Sequence, residues 1–510
     1  MRSEYDVLDD GAIEDAVESG VVYETYCSRW LMLVLFCGLT FTNAFVWITF
    51  ASIEVYTAEY FGVSRTAVNF LSVIYMIMYL PGSMLAAYML STSGFRRTII
   101  VGACFNLSGS WLRYFSIFTP VSLGWFRYTV LLLGQLLCSL GQPFFVNTSA
   151  KLAGDWFAAS ERDVATVIAS LVNPIGNAAG QALPPILVTC ASSGDNYHTN
   201  STIDSCAGSN DIHGMSTLLL IQAIVASITS LAAIMMFKGA PPTPPSASAS
   251  QRTQMQVQSE RPLPENSTSS EGVELHWNNA LEANSVTKIK ESLVFLVFDS
   301  EFRKLMIGFG LGLGIFNALL TMLAQVIQPI YYDSRGVLNK AALSNDAGLY
   351  GMILIGSGLV GAGIFGYLLD TYKAYRLTLK FLFTFSSSCM VAFFLCIEPN
   401  SRILWALSAA VGFFALPLLP VALQSAVECT YPIPEELSAT CLILFGNIVG
   451  IVCTFSIQGL LELKHYRTFS EYGTVFTPSL LFVASVMFIA WISIVLFNGK
   501  YKRLEAEKSA

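Results

Sequence analysis

Charge is scarce in this sequence. Only 12% of its residues are Asp, Glu, Lys or Arg, where a soluble domain carries roughly 25%. That shortage excludes a soluble enzyme, a disulfide scaffold and a disordered regulator. The 28 Lys and Arg against 35 Asp and Glu leave a net charge of −7 with no basic stripe, so nucleic acid is not an expected partner. None of the 11 cysteines stands in a C-x-x-C pair, and most lie in apolar runs where a thiol behaves as a small hydrophobe, so no metal site is expected. There is no G-x-x-x-x-G-K-[ST] loop, which argues against an ATP-driven pump. The opening MRSEYDVLDDGAIEDAVESG is acidic and polar, without the basic start and apolar core of a cleaved signal peptide.

What the chain has in quantity is apolar sequence, 54% of its residues. Stretches long enough to span a bilayer core fall near 30–52, 67–90, 97–118, 128–150, 163–189, 214–237, 303–327, 348–369, 377–397, 403–427, 437–460 and 475–497. Between the sixth and seventh lies a Pro/Ser/Gln-rich segment with nothing to build a core. The expected organisation is therefore an all-α membrane protein of twelve transmembrane helices. It comprises a tail (1–29), a six-helix bundle (30–237), a linker (238–302), a second six-helix bundle (303–497) and a tail (498–510).

Lys and Arg placement sets the orientation. With both termini in the cytoplasm, that side holds twenty of the 28 basic residues. The opposite side holds seven: Arg65, Arg127, Arg335, Lys340, Arg402, Lys464 and Arg467. Arg113, inside the third span, is the remaining one. The loop between spans five and six then faces outward; it has no Lys or Arg and carries a glycosylation sequon at Asn200. Cys190 and Cys206 bracket that sequon, either as a disulfide, which an oxidising compartment favours, or as two free thiols at the membrane edge.

The two halves repeat one another. At a constant offset of 274 residues, Pro143 matches Pro417, Glu161 matches Glu435, Ala165-Thr166 matches Ala439-Thr440, Asn173 matches Asn447 and Gly176 matches Gly450. Repetition across six plus six helices is the mark of a transporter working by alternating access.

This architecture, with G-F-R-R between spans two and three, resembles the major facilitator superfamily. That family's short basic loop reads D-x-x-G-x-R, and its acid latches one conformation. Here the acid position is Ser91, followed by Arg96 and Arg97, whereas the second-half counterpart GYLLDTYKAYR keeps Asp370 with Lys373 and Arg376. Arg96, Arg97, Asp370 and Arg376 are thus candidate gating residues, with topology anchoring as the alternative role for the two arginines.

The segments YCSRW (26–30), NAFVW (43–47), LSVIYM (71–76), GQLLCSLGQ (134–142), LPPILV (183–188) and AVECTYP (426–432) resemble solute carrier family 49, the feline leukaemia virus subgroup C receptor-related family. AKLAGDWF (150–157), APPTPPSA (240–247) and YKRLEAE (501–507) are similar to its third branch. The resemblance implies transport of choline, ethanolamine or haem. It puts the receptor branch's cage tryptophan at Trp47 and its partner aromatic at Asn317. It matches one of the branch's two glutamines to Gln142 and replaces the other by Asn447. Tyr75 and Asn173 are further candidate substrate contacts, Asn173 by its symmetry with Asn447.

Chemistry bears on the choice of substrate. A quaternary ammonium has no N–H donor, so it is recognised by aromatic faces, and Trp47 supplies one. Haem iron takes His, Cys, Met or Tyr, but none of the four His lies in a span. Carboxylates are missing from mid-membrane, since Asp370 and Glu428 fall near helix ends. A proton-driven symporter needs a titratable group beside its ligand, so a facilitated uniporter is expected. Arg113 snorkels to the outer surface, repels cations or binds an anionic substrate. The reading is a monomeric plasma-membrane transporter of a small organic solute, choline- or ethanolamine-like, embedded in the lipid bilayer, with no enzymatic activity and no cofactor. The rivals are a haem or porphyrin exporter and a receptor or nutrient sensor that keeps the fold without flux.

Overall fold

The computed structural model of the protein describes residues 24–120, 124–190, 212–245, 296, 298–332, 337–372, 374–397, 401–430, 433, 435–462 and 478–502. Asn200 and Cys206 lie outside the described residues, as do the side chain of Asp370 and all of Lys373.

The first half of the chain forms α1 (Ser28–Trp47), α2 (Glu54–Phe61), α3 (Arg65–Ser93), α4 (Phe95–Phe115), α5 (Gly124–Val146), α6 (Ser149–Trp156), α7 (Ala159–Leu187) and α8 (Met215–Met236). The second half forms α9 (Ser300–Ile327), α10 (Lys340–Tyr372), α11 (Tyr375–Leu395), α12 (Ser401–Ala415), α13 (Leu418–Thr430), α14 (Glu435–Glu462) and α15 (Pro478–Val495). Among the described residues, ten stretches are long and apolar enough to cross a membrane. The other two expected spans are helical as well but more polar. Helix α4 carries Arg96, Arg97 and Arg113; α7 carries Glu161, Arg162, Asp163, Asn173, Asn177 and Gln181.

Two spans differ from the expectation. The first stops at Trp47 instead of running to 52, and the chain turns through 48–53 before α2 begins. No proline or glycine causes this break. Ile48, Thr49 and Ile53 are β-branched, and the Thr49 hydroxyl donates back to the Phe45 and Val46 carbonyls, a contact that bends helices. The tenth span is split at Leu416–Pro417 into α12 and α13, because proline has no N–H and its ring collides with the preceding turn.

Lipid is as apolar as leucine, so helices in a membrane associate through close packing and small residues rather than the hydrophobic effect. The internal repeat supplies those residues at equivalent places. Helix α7 lies on α1, and α14 lies on α9 in the same relation. A Cβ on Gly176 would stand 2.5 Å from the Phe41 carbonyl oxygen and 2.8 Å from Ala44 Cβ. Its repeat partner Gly450 lies against Gly314 of α9. Across the seam between the halves, α3 meets α14 and α7 meets α10, again a symmetric pair.

Two short antiparallel strands, β1 (Thr189–Cys190) and β2 (Ile212–His213), pair Thr189 with His213 and hold the ends of the loop between α7 and α8 together. Cys190 is disulfide-bonded there.

Candidate functional site

The break after α1 fixes the central residue of the site. A helix ending at Trp47 leaves its last carbonyls without donors from the following turn. Gln135 of α5 supplies one, its Nε2 donating to the Trp47 carbonyl at 3.3 Å. The indole Nε1 of Trp47 in turn donates to the Ser72 carbonyl on α3 at 3.1 Å. The residue is therefore held through both its backbone and its ring. The indole lies 6.0 Å from the Tyr75 ring at an interplanar angle of 33°, in a cluster with Val46, Ile74, Met76 and Cys138. Behind it, Asn43 ties three spans together by donating to Asn106 Oδ1 (3.2 Å) and to the Cys138 carbonyl (2.8 Å).

Across the seam, Ile451 of α14 packs on this aromatic cluster. A Cβ on Gly450 would lie 3.1 Å from Met76 Sδ and 3.7 Å from Asn317 Cβ. Asn447 stands one turn earlier on α14, on the face that carries Gly450 and Ile451. Trp47, Tyr75, Asn317 and Asn447 thus gather around one point of the seam, and Trp47, Asn317 and Asn447 each keep a thin exposed face of 8–9%.

Gln142 and Asn173 do not join this group among the described contacts. Gln142 is half-buried, two turns along α5 from Gln135. Asn173 accepts a 3.4 Å hydrogen bond from Asn177 on its own helix. The glutamine that reaches Trp47 is Gln135. Residues seven apart share a helix face, so spacing in the sequence does not separate the two.

Among the described residues, polar contacts between the halves gather at the end of the seam opposite the chain termini. Arg65 of α3 donates to Gln328 beyond α9. Lys340 of α10 pairs with Glu59 of α2 at 2.5 Å. Gln458 of α14 accepts from Asn69 at 3.0 Å and donates to Thr66. Gln181 of α7 donates to the Leu320 carbonyl of α9 at 2.9 Å. Glu54, just past the first span, is buried here with Arg65 Nε 3.5 Å away. Burial raises its carboxyl to about 7, against the opposing pull of Arg65 and Gln325. These contacts escaped the sequence reading; oppositely charged residues in the short segments after spans one and seven (Glu54, Glu59, Arg65 and Lys340) were the available signal.

At the terminus-bearing end the expected gating residues stand apart. Arg96 and Arg97 are exposed and pair with no acid among the described residues. Ser91, at the family's acid position, donates to the Tyr88 carbonyl of its own helix. Arg376 is exposed, and its backbone N–H donates to the Tyr501 hydroxyl. Asp370 lies on α10 near its end. Arg113 does not snorkel: it is 1% exposed, with its guanidinium 5.0 Å from the Phe50 ring centroid.

Sequence and structure comparisons bear on the family and the fold. Solute carrier family 49 member A3 of Xenopus tropicalis is 29% identical, covering 95% of this chain and 90% of its own. The choline/ethanolamine transporter flvcr2a of Danio rerio is also 29% identical, over 94% of this chain and 90% of its own. Among solved structures, a D-xylose-proton symporter superposes with a TM-score of 0.64 at 14% identity, covering 94% of this chain and 99% of that one. The inward-open form of the E. coli xylose transporter gives 0.61 at 14% identity, with coverages of 94% and 100%. The sequence profile of the Major Facilitator Superfamily matches residues 35–457, and with its repeated halves, broken first span and central seam, the chain belongs to that superfamily.

Proposed function

We propose that this membrane transporter carries a small organic cation of the choline or ethanolamine type down its gradient, by alternating access through the seam between its halves. The observation that carries the reading is Trp47, its indole N–H bonded to the Ser72 carbonyl, its backbone carbonyl bonded by Gln135, and 8% of the residue left exposed. A quaternary ammonium cannot donate a hydrogen bond, and an aromatic face attracts it by about 2 kcal/mol when the pair is desolvated. Asn317 and Asn447 stand across the seam from the aromatic cluster, and their amides suit the hydroxyl or amino end of such a solute. The relatives named as choline/ethanolamine transporters support the same substrate class.

The 20-to-7 bias in basic residues supports cytoplasmic termini and, with the sequon at Asn200, the plasma membrane. In that orientation the bonded end of the seam is the outer gate, closed by the contacts between the halves. Rocking the halves about the site requires Arg65, Lys340 and Gln458 to release their partners. The 238–302 segment joins the halves on the cytoplasmic side, and Arg96, Arg97, Asp370 and Arg376 latch that side when it closes.

Uptake of labelled choline and ethanolamine into proteoliposomes tests this reading. The expected result is saturable uptake of at least one, unaffected by dissipating a pH gradient and abolished by Trp47→Ala. Uptake that requires an inward proton gradient, or that survives the substitution, overturns it.

A further inference from the structure

The core of the first half encloses a cation that no acid among the described residues answers. Arg113, on the last turn of α4, is 1% exposed, and none of its three guanidinium nitrogens has a hydrogen-bond acceptor. Its stem lies against Gly134 of α5 and its head 5.0 Å from the Phe50 ring centroid. Cys138 links Arg113 to Tyr75: the Cys138 Sγ lies 3.8 Å from the hydroxyl of Ser110, one turn before Arg113 on α4, and Cys138 packs in the same cluster as Tyr75. The Tyr75 hydroxyl is itself fully buried and without a hydrogen-bond partner. The nearby buried carboxylate of this half, Glu54, stands against Arg65 instead.

A guanidinium does not shed its proton in a protein. Burying one against a single ring leaves the desolvation penalty largely unopposed, because a cation–π contact returns only a fraction of it. The guanidinium of Arg113 and the phenol of Tyr75 both carry polar hydrogens with no acceptor among the described residues, while the Cys138 thiol between their helices is turned to the Asn106 carbonyl at 3.7 Å. That donor set matches an anion. One positive charge calls for one negative charge, and helices this close admit a small ion rather than a polyatomic one. We infer that Arg113 and the Tyr75 hydroxyl hold a monovalent inorganic anion of chloride size, seated behind the Trp47 wall. Tyr75 belongs to both places, since its ring is 6.0 Å from Trp47 and it packs with Cys138, which touches the turn of α4 that precedes Arg113. An anion there cancels the field that would otherwise repel a cation at the seam. This last link rests on the substrate class proposed above; the anion site itself does not.

The test uses purified full-length protein without organic substrate. Thermal unfolding is followed while chloride replaces gluconate at constant ionic strength, and again with bromide and sulfate. The account expects a saturable rise in Tm with chloride and bromide and none with sulfate. The half-saturating chloride concentration should increase several-fold in Tyr75→Phe, and the response should vanish in Arg113→Gln. A wild-type Tm that is the same in chloride and gluconate overturns the site, whether or not the Gln variant folds. So does a non-saturating rise shared by all anions, or an unchanged chloride response in Arg113→Gln. Because no transport is measured, failure here is distinct from failure of the choline reading.

Discussion

On its N-terminal side the central seam presents Trp47 and Tyr75, two rings 6.0 Å apart; on its C-terminal side it presents the side-chain amides of Asn317 and Asn447. The N-terminal wall is braced: the indole N–H, the Trp47 carbonyl and Asn43 all have partners on neighbouring helices. The C-terminal wall is lighter, and the Asn317 and Asn447 side chains bond to no described residue. The repeat therefore conserves the scaffold, with Gly176 and Gly450 at matching helix contacts, while the surfaces it carries have diverged. On this account a rigid aromatic wall reads the charge of the solute and an adaptable amide wall reads its polar end.

Substitutions on the two walls should separate these roles, and the largest effect belongs to Trp47. Removing its ring takes away the cation–π contact, so Trp47→Ala should weaken choline binding about 30-fold or more, whereas Asn447→Ala should cost only about fivefold; equilibrium binding to purified protein checks both. Next come the paired glycines. A Cβ on Gly176 meets backbone at 2.5 Å, but one on Gly450 meets the flexible end of Met76 at 3.1 Å. Gly176→Ala should therefore destabilise by about 1–3 kcal/mol and Gly450→Ala by less, read from thermal unfolding. Asn317→Tyr returns an aromatic to the amide wall and should tighten binding of quaternary ammonium by about tenfold or less.

The smallest effects concern the bonded end of the seam. Glu54 is raised to about 7 where it is buried, so the closed seam favours its neutral form. That contribution is fully present below the ordinary carboxylate range and is lost as pH rises through 7. Accessibility of Thr66→Cys to a membrane-impermeant maleimide should therefore increase from pH 6 to pH 8, and Glu54→Gln should flatten the profile.

Much of the architecture was legible because membrane spans declare themselves by length and apolarity, and the repeat by its fixed offset. The polar spans α4 and α7 were still found, since their surroundings are apolar enough. What sequence did not show were breaks without a breaker: α1 ends at Trp47 through β-branched residues and a Thr49 back-bond, neither of which is a strong stop signal. Of the expected site residues, Trp47 and Tyr75 lie on one side of the seam and Asn317 and Asn447 on the other, near Gly450 and Ile451, which pack against the aromatic cluster. Gln142 is expected at the site from the family resemblance, whereas the structure shows Gln135, on the same face of α5, donating to the Trp47 carbonyl, a contact that depends on where α1 ends and that spacing does not reveal. The bonded end of the seam was missed for a related reason. Its partners, Arg65 with Gln328 and Glu59 with Lys340, are separated by more than 250 residues in the chain.

The central claim is that Trp47 reads positive charge. Binding of choline can be compared directly with that of 3,3-dimethylbutan-1-ol, its neutral carbon analogue of nearly identical shape, in wild type and Trp47→Leu. The account predicts that wild type prefers choline by about tenfold or more and that Trp47→Leu binds the two alike. Equal affinities in wild type, or a preference for choline that survives in Trp47→Leu, would contradict it.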